Sequence, residues 1–436
     1  MRFRKILCCM LIGLTLSNHV LAKDLEQVAP DKVGLSSERL SRLDSVINSY
    51  IKDKQIAGAV VMVARQDKVA YFKSFGQKDI EANEPMKNDT IFRLASMTKP
   101  ITTTAVMMLY EEGKFGLDDP ISKYIPEFKE PKVLVNSEDG SYKLIAAKRE
   151  ISIRDLLSHT SGISYRFWGR KNLETYYKNA NISDGLSPTE GTIGDEVKRL
   201  AKLPLLNQPG EAFEYGLNTD VLGYFVEVIS GMPLDHFFKT RIFNPLDMKD
   251  TAFYLPKEKI SRLAALYVKD DKLGIKRADE NTTHWGELSF APNVPYAATQ
   301  SYFSGGAGLT STTSDYMRFL QMLLNGGQLD GKRILSRKSI ELMTSNQIGN
   351  AKTADSLPAG LGKFGTKFGL GFGIQTGVNQ LGLGSEGEYT WAGIFFTRFY
   401  IDPKEKMITL MMTQRMLGNA EIEEKIHTLG NAAIID

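Results

Sequence analysis

The chain has 436 residues, 42% hydrophobic and 24% charged, with a formal net charge of +3. That make-up describes a globular chain with a large core and excludes a disordered, fibrous or multi-span membrane protein. The small positive balance belongs to Arg2, Arg4 and Lys5 at the N-terminus, so charge makes no general case for nucleic-acid binding.

Residues 1–22 read as a secretory signal peptide. A charged start, Met-Arg-Phe-Arg-Lys, leads into the apolar run Ile6 to Leu16 and a small-residue exit ending at Ala22. The run is too short to span a bilayer. Cleavage after Ala22 removes Cys8 and Cys9, which lie too early for lipid attachment. The mature chain, 23–436, then has no disulfide, thiol nucleophile or Cys-ligated metal. Lys plus Arg falls from 54 to 51 and equals the 51 Asp plus Glu. No later stretch of 18 apolar residues follows, so the expectation is a periplasmic or secreted bacterial protein without stable membrane insertion. Nothing in the pattern sets an oligomeric state.

Residues 36–53 carry Leu40, Leu43, Ile47 and Tyr50/Ile51 at helical spacing. Ala59 to Ala64 and Val69 to Phe75 form a β-hairpin around Arg65-Gln66-Asp67-Lys68. A strand at 91–95 precedes a helix over 101–112 that ends at Gly113. Val133 to Ala147 suggests a second hairpin turning at Asp139-Gly140. Helices are expected at 151–158, 193–202, 219–230 and 314–325, and long polar loops at 164–190, 275–300 and 347–366. Strands return at 368–375, 389–401 and 406–413 before a last helix at 420–429. Strands at both ends with helices between imply an α+β fold: a sheet region, about 30–95 and 365–436, around a mainly helical region, about 96–364.

The chemistry centres on Ser96-Met97-Thr98-Lys99. A serine and lysine at this spacing share a helix face, and the amine can take the hydroxyl proton without a histidine. Spacing alone does not decide, because Ser49-Tyr50-Ile51-Lys52 also matches. That copy lies at the end of a helix, with its serine off the apolar stripe, and reads as a solvated polar face. Ser96 lies at a helix start, with Pro100 in the first turn, where the helix dipole and free N–H groups favour a developing anion. Other hydrolase patterns are missing. There is no Gly-x-Ser-x-Gly, and His159, His236, His284 and His427 form no His-Glu-x-x-His pair. Gly382 to Gly387 fits G-x-G-x-x-G, but a strand follows where a dinucleotide site needs a helix.

Motifs across the mature chain resemble the serine β-lactamase-related superfamily, in its class C-like branch. They include Phe92 to Pro100, Asp155 to Gly162, Gln208 to Tyr215, Thr219 to Gly223, Gly305 to Leu309, Ser314 to Gly327, Trp391-Ala392-Gly393 and Ile401 to Pro403. The resemblance implies a β-lactamase/transpeptidase-like fold and a hydrolase that needs no metal or organic cofactor. It implies Ser96 as nucleophile, Lys99 as proton acceptor and Tyr215 as partner base and acid. The backbone N–H groups of Ser96 and Ile394 would form the oxyanion hole, and Trp391, Ala392 and Gly393 would line the substrate site.

Two departures bear on the substrate. Class C enzymes carry Tyr-x-Asn, whereas this chain has Tyr215-Gly216-Leu217 with Asn218 one place late. They also carry Lys-Thr-Gly, whereas here Trp391-Ala392-Gly393 offers apolar area and one N–H but no cation. Both features are similar to family VIII carboxylesterases and favour a small uncharged ester. The alternatives are an amide substrate, for a β-lactamase or D-peptidase, and a non-catalytic penicillin-recognising protein. Phe167, Trp168, Trp285 and Tyr302 are candidates for the wall of an acyl pocket. His159 is expected to be structural.

Overall fold

The computed structural model describes residues 25–136, 141–168, 171–297, 300–349, 351–353, 367–377 and 382–436. The expected signal peptide, the Asp139-Gly140 turn and most of the 347–366 loop lie outside the described residues.

Helix α1 (Ser37–Lys52) is capped by the Ser36 side chain and buries Leu40, Leu43, Ile47 and Tyr50. Strands β1 (Gly58–Arg65) and β2 (Lys68–Asp79) form the first hairpin, extended by β3 (Glu84–Pro85). The chain leaves the sheet through β4 (Ile91–Arg93) into α2 (Thr98–Glu111). The hairpin β5 (Lys132–Asn136) and β6 (Tyr142–Ala146) is followed by α3 (Ile153–Leu157), α4 (Lys171–Asn179), α5 (Ile193–Leu200), α6 (Asn218–Ser230) and α7 (Leu234–Phe238). Next come β7 (Thr310–Thr312), which pairs with β4, then α8 (Thr313–Leu324) and α9 (Arg337–Met343). The chain re-enters the sheet with β8 (Lys367–Phe368), β9 (Gly373–Ile374), β10 (Tyr389–Gly393), β11 (Thr397–Asp402) and β12 (Met407–Met412), and closes on α10 (Ala420–Ala432).

The main sheet has the order β8-β9-β10-β11-β12-β1-β2-β3 and is antiparallel throughout. Both chain ends therefore build one sheet, as the α+β reading expects. β1 lies inside it and is buried on both faces. Val60, Met62 and Ala64 join the larger core with α2 and α8, while Ala59, Val61 and Val63 pack toward α1 and α10. Pairing aligns Trp391, Phe399, Leu410 and Met62 in one row across four strands, on the face of the larger core.

Several local expectations are corrected. The single strand at 389–401 is two strands joined by a turn at 394–396, where Phe396 takes a left-handed φ of 68°. A continuous apolar run hides such a turn. The strand at 368–375 is likewise split, around Gly371 with φ of 82°. The loop at 164–190 contains α4, which buries Leu173 and Tyr177 from an otherwise polar segment. The loop at 275–300 contains a two-stranded ribbon, Thr283–Trp285 with Leu288–Phe290. Helices α7 and α9 were also not evident from periodicity, being only five and seven residues long.

Candidate active site

The Ser96 turn is anchored before α2 begins. β4 pairs with β7, and the Leu94 N–H donates to Leu309 O at 2.9 Å. Ala95 then takes a left-handed φ of 45°, and Ser96 follows in a 3-10 turn, Ala95–Met97, that runs straight into α2. Left-handed backbone at a non-glycine residue is costly and persists where its surroundings fix it. Tyr316 fixes it here, its hydroxyl donating to Met97 O at 2.7 Å.

Lys99 is buried one turn later and reaches back to this turn. Its Nζ lies 3.1 Å from Ser96 Oγ, 2.9 Å from Tyr165 OH and 2.8 Å from Gly306 O. Burial pulls the ammonium down to about 7, against the opposing charge of Asp220. A neutral amine has two N–H bonds and one lone pair. With Tyr165 and Gly306 taking the two N–H bonds, the lone pair is left for the Ser96 proton.

Tyr215 stands on the other side of the serine. Burial pushes its phenol well above the usual range, and its hydrogen bond with Ser96 opposes this only partly. Tyr215 is therefore a phenol at neutral pH, and Lys99 is the group poised to act as a base. The Trp391 indole packs on the Tyr215 ring at 5.3 Å and on Phe368 at 5.2 Å. Its N–H favours the phenolate, although the indole nitrogen makes no full hydrogen bond among the described residues.

Gly393 explains how β10 reaches the serine turn. A Cβ there would lie 2.1 Å from Leu94 O, so only glycine permits this approach. Ser96 and Ile394 consequently line the same cavity of about 400 Å³, together with Tyr215, Trp391, Ala392 and Gly393. That volume suits a small ligand. The cation on its wall, Arg398, faces Glu423 at 3.8 Å.

Ser96, Tyr215, Trp391, Ala392, Gly393 and Ile394 thus line one cavity, and Lys99 stands behind it against Ser96. Of the aromatic candidates, Phe167 stacks on Tyr165 at 4.8 Å, and Trp168 Nε1 donates to Tyr215 O at 3.0 Å. Both line the cavity. Tyr302 does not; it is buried elsewhere and donates to Glu196 at 2.6 Å. The Trp285 side chain lies outside the described part. His159 is buried beside the Tyr215 ring, and burial together with the Lys99 charge drives its pKa well below the usual value. Asn218 Nδ2 contacts His159 Nδ1 at 2.9 Å, so that amide braces the His159 turn. Sequence reading missed Tyr165 and the Gly306 carbonyl. Tyr165 had only its position, three residues after Gly162, as a signal. Among the described residues, no group of three or more His, Cys, Asp or Glu is placed to hold a metal ion, and no helix is long and apolar enough to cross a membrane.

A family sequence model described as Beta-lactamase matches residues 43–433. The chain belongs to the β-lactamase family. It is a serine hydrolase by that membership and by its relatives. Esterase EstB of Burkholderia gladioli is 30% identical over 384 residues, covering 86% of this chain and 90% of EstB. The solved structure of EstCE1, described as a hydrolase with promiscuous acyltransferase activity, aligns with a TM-score of 0.78 and 28% identity. That alignment covers 90% of this chain and 99% of EstCE1. Unliganded simvastatin synthase from Aspergillus terreus shares the fold, with a TM-score of 0.75 at 24% identity over 92% of this chain and 98% of its own.

Proposed function

We propose that this protein is an exported carboxylesterase that cleaves small, uncharged, short-chain esters through an acyl-enzyme. One observation carries the substrate preference: Trp391, buried against Tyr215 and Phe368, gives the cavity an aromatic wall where a lysine would grip an anion. The wall cation, Arg398, faces the Glu423 carboxylate. EstB, an esterase by name, supports the same reading.

In this mechanism Lys99 takes the Ser96 proton as the oxygen attacks the ester carbonyl. The N–H groups of Ser96 and Ile394 bind the oxyanion. As the C–O bond to the alcohol breaks, Tyr215 gives its proton to the departing oxygen and regains one from the Lys99 ammonium. Lys99 then activates water, which releases the acid and restores the serine. Tyr165 orients Lys99. Export rests on the leader at 1–22, and the mature form should begin at Lys23 by intact mass.

The test is a substrate panel read as kcat/KM on the purified mature chain. p-Nitrophenyl acetate and butyrate should exceed nitrocefin and D-alanyl peptides by at least about 100-fold, with nitrocefin turned over slowly. A higher value for nitrocefin or a D-alanyl peptide would assign the site to amide substrates. No turnover of any of them, with Ser96 unreactive, would leave a binding protein.

A further inference from the structure

Lys99 is gripped from behind by a loop, and a buried acid holds that loop. The Gly306 carbonyl accepts from Lys99 Nζ at 2.8 Å. The Gly306 N–H donates to Asp220 Oδ1 at 3.1 Å, and Ser304 Oγ donates to the same oxygen at 2.6 Å. Asp220 lies on α6, five residues after Tyr215. The loop is pressed onto that helix, since a Cβ on Gly306 would lie 2.3 Å from Asp220 Oδ2 and one on Gly305 would lie 2.7 Å from Thr219 O. From the other side, Thr102 of α2 donates to Gly305 O at 2.6 Å. Two helices thus clamp the segment that presents the Gly306 carbonyl to Lys99.

Asp220 is 2% exposed, and its Oδ2 has no hydrogen-bond partner among the described residues. An acid buried this way needs compensation beyond two hydrogen bonds. Burial pushes its pKa up, while the Lys99 charge, Ser304 and the Gly306 N–H oppose that rise. Reciprocally, the Asp220 charge opposes the loss of the Lys99 proton. Other groups face the pair from every side. Tyr165 and Tyr215 stand on the cavity side, and burial keeps both as phenols. His159 lies beyond Lys99 and is held neutral. Asp184, Glu196 and Tyr302 lie around Asp220. Of these, Asp184 is paired with Arg166 at 3.2 Å, and Glu196 accepts from Tyr302 and from the Ser183 N–H.

We propose that Asp220 is a positioning residue for Lys99: it fixes the Gly306 carbonyl that orients the amine and supplies the buried countercharge against which the amine loses its proton. This inference rests on Lys99 being the base. Asp220 touches neither substrate nor serine and acts through its neighbour.

The test is the pH dependence of kcat/KM for p-nitrophenyl butyrate in the wild type and in Asp220→Asn, which keeps the shape and an acceptor oxygen for Ser304 and Gly306. Removing the negative charge should shift the acid limb to lower pH by on the order of one unit. Ser304→Ala should shift it the same way by less, because Asp220 then ionises less readily. It provides the test if Asp220→Asn does not fold. An unchanged acid limb in the folded variant, with activity lost only through KM or stability, would overturn the proposal and leave Asp220 as scaffold. Failure of the underlying reading looks different: Lys99→Ala would keep wild-type activity and the wild-type acid limb.

Discussion

Ser49-Tyr50-Ile51-Lys52 and Ser96-Met97-Thr98-Lys99 have the same spacing and opposite surroundings. Ser49 lies in the last turn of α1, exposed, and donates its hydroxyl proton to the Val46 carbonyl at 2.8 Å. Lys52 ends that helix in solvent. Ser96 opens a helix, and its lysine is 1% exposed and held on three sides. The spacing brings the amine within reach. Burial makes it a base, because desolvation moves the ammonium from its usual value of 10.5 to about 7, where a free lysine stays charged. In the proposed mechanism the helix start supplies an N–H for the oxyanion, whereas a helix end presents carbonyl oxygens.

Substitutions at the two sites should separate them sharply. Ser96→Ala should lower kcat on p-nitrophenyl butyrate by at least about 10⁴-fold, since no other group can carry the acyl chain. Lys99→Ala should cost about 10³-fold or more. In the wild type, activity should fall as pH drops through about 7, because the amine must be neutral to accept the proton and becomes charged below its pKa. A wild-type limb near 10 would mean that burial does not tune this lysine. Tyr215→Phe should cost about 100-fold in kcat on an alkyl ester such as ethyl butyrate and less on p-nitrophenyl butyrate, whose low-pKa leaving group needs no proton. Ser49→Ala and Lys52→Ala should each leave kcat/KM within about twofold and stability within about 0.5 kcal/mol by denaturant titration. A large loss from either would erase the contrast.

The extent to which sequence revealed this arrangement follows from what each feature leaves in a pattern. α1 and β1 were legible because periodic burial writes itself into residue order at Leu40, Leu43 and Ile47, and in the run Ala59 to Ala64. Ser96 and Lys99 were legible as a local pair with a helix start. Tyr215, Trp391 and Ile394 come from distant segments, so only resemblance to a family named them. Tyr165 lies in an irregular segment with no periodicity, and its bond to Lys99 spans 66 residues. The Gly306 carbonyl and the Asp220 clamp are tertiary facts: a backbone oxygen has no residue type, and an acid on a helix looks solvent-facing until its neighbours enclose it. The turn at 394–396 was hidden because its own residues, Ile394, Phe395 and Phe396, are as apolar as a strand.

The central claim is that Ser96, and not Ser49, is the nucleophile. It is tested most directly by treating the mature protein with a fluorophosphonate and locating the adduct by intact mass and peptide mapping. The account predicts a single adduct on Ser96, formed faster as pH rises through about 7 and absent in Ser96→Ala. An adduct on Ser49 or another residue, or a Ser96→Ala enzyme that still hydrolyses p-nitrophenyl butyrate at the wild-type rate, would contradict it.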